Sequence, residues 1–161
     1  MAVVDYFLKI EGVPGESQDD KHKDEIQLES WSFSASQEGT GAYGGGGGAG
    51  KVKMDDMHFT KIVDKATPKL MLACATGEHI TKATLVCRKA GKEQQEYLKI
   101  TLTDCLVSHI SSASSGGVLP QDQFSLNFSK IEFDYKQQNK DGTLGGSVKT
   151  SYNLKSMKAN A

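Results

Sequence analysis

The segment from Val52 to Gly77 constrains the fold most, because it contains the only pattern in this sequence that predicts a helix. Its first half alternates apolar and polar residues, as a strand does. In its second half Thr67 is a natural N-cap, and Pro68 follows at the first helical position, where a missing N–H costs nothing. Gly77 can then end the helix in a left-handed conformation. The sequence therefore predicts one short helix, at about residues 67–76, packed on a β structure.

Outside this helix the hydrophobic pattern has a period of two residues and changes phase within its longer runs. A change of phase turns every later side chain to the other face, so each one predicts a β-bulge. The three changes fall at Glu29 or Ser30, at Asp55-Asp56, and between Phe128 and Ile131. Bulges supply the bends that closure of a sheet requires. We therefore predict a closed or nearly closed antiparallel β-barrel that forms a single domain over residues 1–161.

Charge and hydropathy exclude several classes of protein. The formal net charge is −1 and Arg88 is the only arginine, so neither bulk attraction to nucleic acid nor base reading is indicated. No run approaches the roughly 18 apolar residues that a membrane span requires. The first 25 residues lack the apolar centre of a signal peptide. We therefore expect a protein that begins in the cytoplasm and binds neither nucleic acid nor membrane.

Residues that could carry chemistry do not form a recognisable site. Gly45 to Lys51 matches the first part of a phosphate-binding loop, but Val52 stands where Ser or Thr should bind magnesium, and a strand pattern follows. The histidines do not occur at metal-ligand spacing, and no GxSxG elbow is present. The cysteines are odd in number and lie in apolar stretches, which favours buried thiols over disulfides. We predict no catalytic residue, no metal and no cofactor. The residues concerned are His22, His58, His79, His109, Cys74, Cys87 and Cys105.

Three further features suggest surfaces. Ser30, Ser32 and Ser34 alternate with Trp31 and Phe33, which predicts a polar face opposite a core face. A glycine-rich loop at residues 39–50 allows close approach to another surface, because loops of this length are often functional. The tail at residues 156–161 is polar, and we expect it to be frayed.

Several blocks, in the same order as here, are typical of one family. The sequence resembles the Hcp (haemolysin co-regulated protein) family of type VI secretion systems over essentially its full length. The most specific block is Asp64-Lys65-Ala66-Thr67-Pro68-Lys69-Leu70, preceded by Phe59-Thr60-Lys61 and followed by Gly77. The other matching blocks are Tyr6-Phe7-Leu8-Lys9-Ile10, Gly15-Glu16-Ser17, His22, Ile26, Trp31-Ser32-Phe33, the loop Gly44 to Lys51, Leu85, Arg88-Lys89-Ala90-Gly91, Tyr97-Leu98, Phe128 and Asp134-Tyr135.

The resemblance implies a β-barrel with one helix that assembles into a homo-hexameric ring. Rings of the family stack into a tube that carries a VgrG spike, and a contractile sheath drives the tube and its effector cargo into a target cell. Such a protein is a structural part and not an enzyme. It leaves the cell through its own machine, which agrees with the missing signal peptide.

These implications suggest where the two surfaces would lie in the assembled tube. Ser30, Ser32 and Ser34 would line the lumen and contact effectors, with Ser32 as the first choice. The glycine-rich loop would contact a neighbouring subunit or the next ring; its residues singled out are Gly44, Gly45, Gly46, Gly47, Gly48 and Lys51.

Two alternatives remain open at this point. One is a phage-type tail-tube subunit, which has the same physical requirements. The other is a monomeric β-barrel that binds a small apolar ligand, although Trp31, Phe33, Phe59, Phe124 and Phe128 favour a filled interior. The sequence does not identify the effector, the target cell or the mode of ring stacking.

Overall fold

The computed structural model describes residues 4–39, 49–90 and 94–160, which are mostly antiparallel β structure with one helix. This confirms the predicted fold class. The elements are β1 (Val4–Ile10), β2 (Ile26–Leu28), β3 (Ser30–Ser32), β4 (Ala35–Gly39), β5 (Ala49–Met54), β6 (Met57–Ile62), α1 (Ala66–Thr76), β7 (Ile80–Lys89), β8 (Gln95–Ala113), β9 (Gln121–Gln138), β10 (Leu144–Asn153) and β11 (Lys158–Asn160).

The main sheet curls back on itself. Its pairing runs from β2 through β1, β7, β8, β9 and β6 to β3, and β2 and β3 follow each other directly in the chain. Its strand order is β11-β10-β9-β8-β7-β1-β2, and β6 pairs with both β9 and β3. Only Glu29 separates β2 from β3, and its N–H donates to the Thr60 carbonyl oxygen at 2.8 Å. The strands therefore surround one core. Because pairing is interrupted at Glu29, the sheet is nearly closed and not a continuous barrel.

Two of the three predicted irregularities lie where the sequence indicates. Glu29 interrupts the first strand pattern, and Asp55-Asp56 separates β5 from β6. The third prediction is wrong: β9 keeps one register with β8 from Leu126 to Tyr135, and the register shift in this pairing lies between Val107 and His109 of β8. Asp104 of β8 has φ +54°, which is uncommon for a residue with a Cβ.

Large apolar side chains fill the space inside the strands. Phe59 and Phe124 stack with ring centroids 5.1 Å apart, and both are buried. Leu70 and Ala73 of α1 join the same cluster, so the helix packs on the strands through one side. Each fully buried side chain of this size stabilises the fold by about 1.5–3 kcal/mol. Phe128 is also buried, which agrees with a filled interior rather than a ligand cavity.

The helix begins one residue before the predicted start, so the cap assigned to Thr67 is wrong. The Asp64 carboxylate accepts the N–H of Ala66 at 2.9 Å, and Lys65 occupies the N-cap position without a side-chain cap. Thr67 and Pro68 therefore lie within the first turn, where an absent proline N–H still costs little. Gly77 ends the helix with φ +65°, and its N–H donates to the Ala73 carbonyl oxygen.

The end of the chain is ordered, contrary to the frayed tail predicted for residues 156–161. Lys158–Asn160 forms β11, which pairs antiparallel with β10. The Asn153 side chain accepts the N–H groups of Lys155 and Ser156 at 2.9 and 3.1 Å, and Met157 adopts φ +55°. These contacts turn the chain back onto its own strand, which composition alone does not reveal. Ala161 lies outside the described residues.

Candidate functional site

Polar side chains form two rows across four neighbouring strands, β3, β6, β9 and β8. Residues that pair directly between strands project from the same face of a sheet. We call these eight residues the polar face, and none of them is Asp, Glu, Lys or Arg. One row contains Ser32, His58, Ser125 and His109, and the other contains Ser30, Thr60, Gln123 and Ser111.

The alternation along β3 and β6 produces this face. Ser30 and Ser32 are exposed, whereas Trp31 between them is half-buried and meets the Tyr6 ring edge-on at 6.5 Å. In β6, Phe59 is buried between His58 and Thr60. From Ser30 to Ser32 and from Met57 to Thr60, the two strands thus present apolar groups inward and hydroxyl or imidazole groups outward. This result agrees with the predicted orientation of the two serines.

Ser34 lies apart from the two rows. It follows β3, and its hydroxyl donates to the Asp55 carboxylate. The Asp55 N–H donates to the Ser34 carbonyl oxygen at 3.0 Å, so the two residues link the chain segments that enter β4 and leave β5. Ser34 is exposed, but its hydroxyl is already engaged. Contact of Ser30, Ser32 and Ser34 with a cargo therefore stays a prediction, and Ser34 has the least free hydrogen-bonding capacity.

From the sequence pattern, His58 and His109 were interpreted as two separate surface histidines. The structure places them in one row, on either side of Ser125, whose hydroxyl lies 2.7 Å from that of Ser108. Two strand spacings separate His58 from His109, which is about 10 Å. That distance is too large for both to bind one metal ion. Within the described residues, no group of three or more His, Cys, Asp or Glu side chains could hold a metal.

Part of the predicted glycine-rich loop is a β-hairpin. β4 and β5 pair antiparallel, with Ala35 opposite Met54 and Gln37 opposite Val52. Gly39, Ala49 and Gly50 therefore belong to strands and not to a loop, which corrects the predicted bounds of 39–50. Lys51 is exposed in β5. Gly44, Gly45, Gly46, Gly47 and Gly48 lie outside the described residues, and their contact role remains a prediction.

A buried ion pair, which the sequence reasoning missed, fixes the helix to the strands. Lys61 Nζ donates to Asp122 Oδ2 at 2.6 Å, to Asp64 Oδ1 at 2.8 Å and to Thr67 Oγ1 at 2.9 Å. Burial opposes ionisation of Asp122, but hydrogen bonds from Lys61, Ser112 and Thr67 outweigh it and lower the pKa of that carboxyl. The sequence did contain a signal for this ion pair, because the alternation in β6 places Lys61 on the inward face.

The chain between β1 and β2 is held to the sheet by Arg88. Its guanidinium donates to both carboxylate oxygens of Asp19, at 2.9 and 2.7 Å, and lies over the Phe7 ring at 4.8 Å. The bond from Arg88 lowers the pKa of Asp19 to about 2. His22 stacks on Phe7 at 4.4 Å and contacts Glu25 and Glu96 through its two ring nitrogens. The single arginine thus has an intramolecular role.

Comparison with known proteins gives consistent results. A family profile described as "Type VI secretion system effector, Hcp" matches residues 7–135. The chain is 49% identical over 155 residues to the protein named hcp1 of Pseudomonas aeruginosa, covering 94% of this chain and 96% of that protein. It superposes on the crystal structure of Hcp1 from Salmonella typhimurium with a TM-score of 0.81, at 35% identity and with 98% and 99% of the two chains covered.

A second solved structure is similar over nearly the whole chain. It is described as the structure of a type six secretion system protein, and it matches with a TM-score of 0.92 at 26% identity, covering 97% of this chain and 99% of that one. In the described part of this chain, no helix is both long and apolar enough to cross a bilayer.

Proposed function

The chain belongs to the Hcp family of type VI secretion proteins, and on that basis we propose that it is the subunit from which the tube of such a system is built. In this proposal six copies form a ring, rings stack into the inner tube, and effectors travel in the lumen. The polar face is the observation that carries the proposal, because a wall that cargo touches weakly needs hydrogen-bonding groups without strong charge.

The neutrality of the polar face is the physical argument for this role. Hydroxyl, amide and imidazole groups form hydrogen bonds of modest net strength, about 0.5–1.5 kcal/mol each. Hydrogen bonds to charged groups are roughly twice as strong, and a charged wall would favour effectors of the opposite charge. Ser32 is exposed on β3, at one side of this face, and is the proposed first effector contact, with Ser30 on the same strand.

Assembly into a ring requires two different contact surfaces on each copy. Exposed large apolar side chains occur at several places, and two of these places lie on regular elements as adjacent or paired residues. Met71 and Leu72 lie on α1 and are 54% and 57% exposed. Tyr135 and Val148 are paired neighbours on β9 and β10 and are 45% and 66% exposed. Apolar groups of this size in adjacent positions are typical of protein contact surfaces.

Gly44 to Gly48, between β4 and β5, and Lys51 of β5 are the proposed contacts with the neighbouring subunit or the next ring. The remaining partners follow from family membership: the VgrG spike at the tip, the contractile sheath outside, and effectors inside. We propose export through the type VI system itself, and we assign the protein no enzymatic reaction.

The solution mass of the purified protein tests this proposal. Native mass spectrometry or analytical ultracentrifugation should give six times the mass of one chain, and electron microscopy should show rings with a central opening. A stable monomer over a wide concentration range, with no rings at high protein concentration, would contradict the proposed ring.

A further inference from the structure

The β4–β5 hairpin has two strand edges without a described partner. The two strands pair only with each other and form a two-stranded sheet separate from the main one. Residues 35–38 of β4 are all exposed. An isolated two-stranded hairpin is marginally stable in water, whereas three or more strands can be stable. The hairpin therefore has a physical reason to acquire another strand.

β10 offers an edge of complementary length. β9 pairs with β10 as far as Asn153, but β11 covers only Ser151 to Asn153 on the other edge. Leu154 N–H donates to the Ser129 carbonyl oxygen at 2.7 Å, so the alternating ladder points the N–H groups of Ser147 and Lys149 away from β9. Within the described part of the chain, no strand pairs with this edge between residues 147 and 150. All four of these residues are exposed.

We infer that β4 of one copy of this chain adds to the edge of β10 of the next copy, antiparallel to it. This inference rests on the proposed ring and specifies which backbone surfaces join its subunits. Main-chain hydrogen bonds between an open strand and an open edge are a known means of protein association. The two edges lie on different elements of the same chain, so the contact is head-to-tail and can repeat until a ring closes.

Charge favours β4 over β5 as the added strand. β5 carries Lys51 and Lys53, which would approach Lys149 of the next copy. β4 carries Glu38 and no lysine. Lysines on an edge strand oppose further pairing, so β4 meets less charge repulsion at this edge than β5 would.

The hydrogen-bonding pattern of the two edges sets the register. The Asp55 N–H donates to the Ser34 carbonyl oxygen, so the alternating ladder points the backbone groups of Ala35 and Gln37 away from β5. These groups can bond only to residues whose backbone groups also point outward, so Ala35 lies opposite Lys149 and Gln37 lies opposite Ser147. The added strand is then clear of Ser151, where the partners of β11 begin.

Thiol cross-linking between engineered cysteines tests the contact. The background variant Cys74→Ser removes the half-buried thiol, while Cys87 and Cys105 stay buried and have raised pKa values. Gln37→Cys and Ser147→Cys are combined in one chain and treated with a short bis-maleimide. We expect a ladder of covalent oligomers in denaturing gels. Each single variant alone should stay monomeric, and a mixture of the two single variants should stop at dimers.

A matched pair controls for nonspecific coupling. Gln37→Cys combined with Ser115→Cys places the second thiol at another exposed serine, in the loop between β8 and β9. We expect no ladder from this pair. A protein with the mass of a ring but no ladder from the Gln37 and Ser147 pair would overturn this inference and leave the proposed function standing. A monomer without a ladder would overturn both.

A backbone variant provides a second measurement. Ser147→Pro removes an N–H that points away from β9, and proline is tolerated on edge strands. Ser147→Ala is its control. We expect the proline variant to keep the circular dichroism spectrum of the folded chain but to lose most of the assembled mass, whereas the alanine variant assembles normally. If a folded Ser147→Pro variant assembles like the unchanged protein, β10 is not the receiving edge.

Discussion

Lys61 Nζ lies 2.6 Å from Asp122 Oδ2, and both side chains are fully buried. Removing one partner of such a pair leaves an uncompensated buried charge, which costs about 3–5 kcal/mol. Lys61→Met should lower the free energy of unfolding, measured with urea, by about this amount. Lys69→Met, at an exposed lysine of α1, is the control and should cost less than about 0.5 kcal/mol. Equal effects of the two variants would contradict the prediction.

The pKa of Asp19 predicts sensitivity to acid. Arg88 lowers this pKa to about 2 in the folded chain, whereas an unfolded Asp has a pKa of about 3.9. A lowered folded-state pKa contributes stability that is present above the unfolded value and is lost as the pH falls through the folded value. The free energy of unfolding should therefore decrease between about pH 4 and pH 2. Asp19→Asn should show a smaller slope in this range, and an unchanged slope would exclude Asp19 as a cause.

Gly15 has no room for a side chain. A Cβ at this position would lie 2.5 Å from the Glu25 carbonyl oxygen and 2.6 Å from the Ile26 Cα, both of them backbone atoms. Gly15→Ala should destabilise the fold by about 1–3 kcal/mol, as overpacking does. Gly116→Ala is a suitable control, because no atom lies within 4 Å of the added Cβ. Thermal unfolding of both variants gives the comparison, and equal melting temperatures would show that the segment between β1 and β2 moves without cost.

The three thiols should differ in reactivity. Burial raises the pKa of Cys87 to about 11 and that of Cys105 to about 12, so little thiolate forms at pH 8. Cys74 is half-buried on α1. Intact-mass measurement after treatment with iodoacetamide should find one modified cysteine in the folded chain and three in denaturant. Fast modification of Cys87 or Cys105 in the native protein would show that the core opens.

Ser32 tests the proposed effector surface. Its side chain is exposed, so Ser32→Arg should change the free energy of unfolding by less than about 0.5 kcal/mol. The added charge and bulk should weaken effector binding in a pull-down assay. Ser115→Arg introduces the same group in an exposed loop and should leave binding unchanged. Loss of stability in Ser32→Arg with unchanged binding would reverse the assignment of this face.

The sequence predicted most of the β structure because a period of two residues directly reports which face of a strand is buried. It predicted the interruptions at Glu29 and at Asp55-Asp56 for the same reason. It misplaced the role of Thr67, because the hydroxyl hydrogen-bonds with Lys61 and Asp122 instead of capping the helix. A local capping rule cannot include a partner that lies 55 residues away in the chain.

The polar face was only partly predictable. The alternation of Ser30 and Ser32 with Trp31 is a local pattern, and it was recognised. His58, Ser125 and His109 join the serines only because β3, β6, β9 and β8 lie side by side. Strand order depends on long-range packing, which a single sequence does not display.

The order in which the strands pair has a consequence for synthesis of the protein. Val4 pairs with Lys89, and Ile62 pairs with Gln121, so β1 and β6 each wait for a partner strand that is made much later. β6 and β8 share β9 as their common neighbour, and β9 ends at Gln138. Contacts between distant segments slow folding. The chain must therefore remain open on the ribosome until most of it has emerged, and it acquires its structure as a nearly finished polypeptide rather than strand by strand.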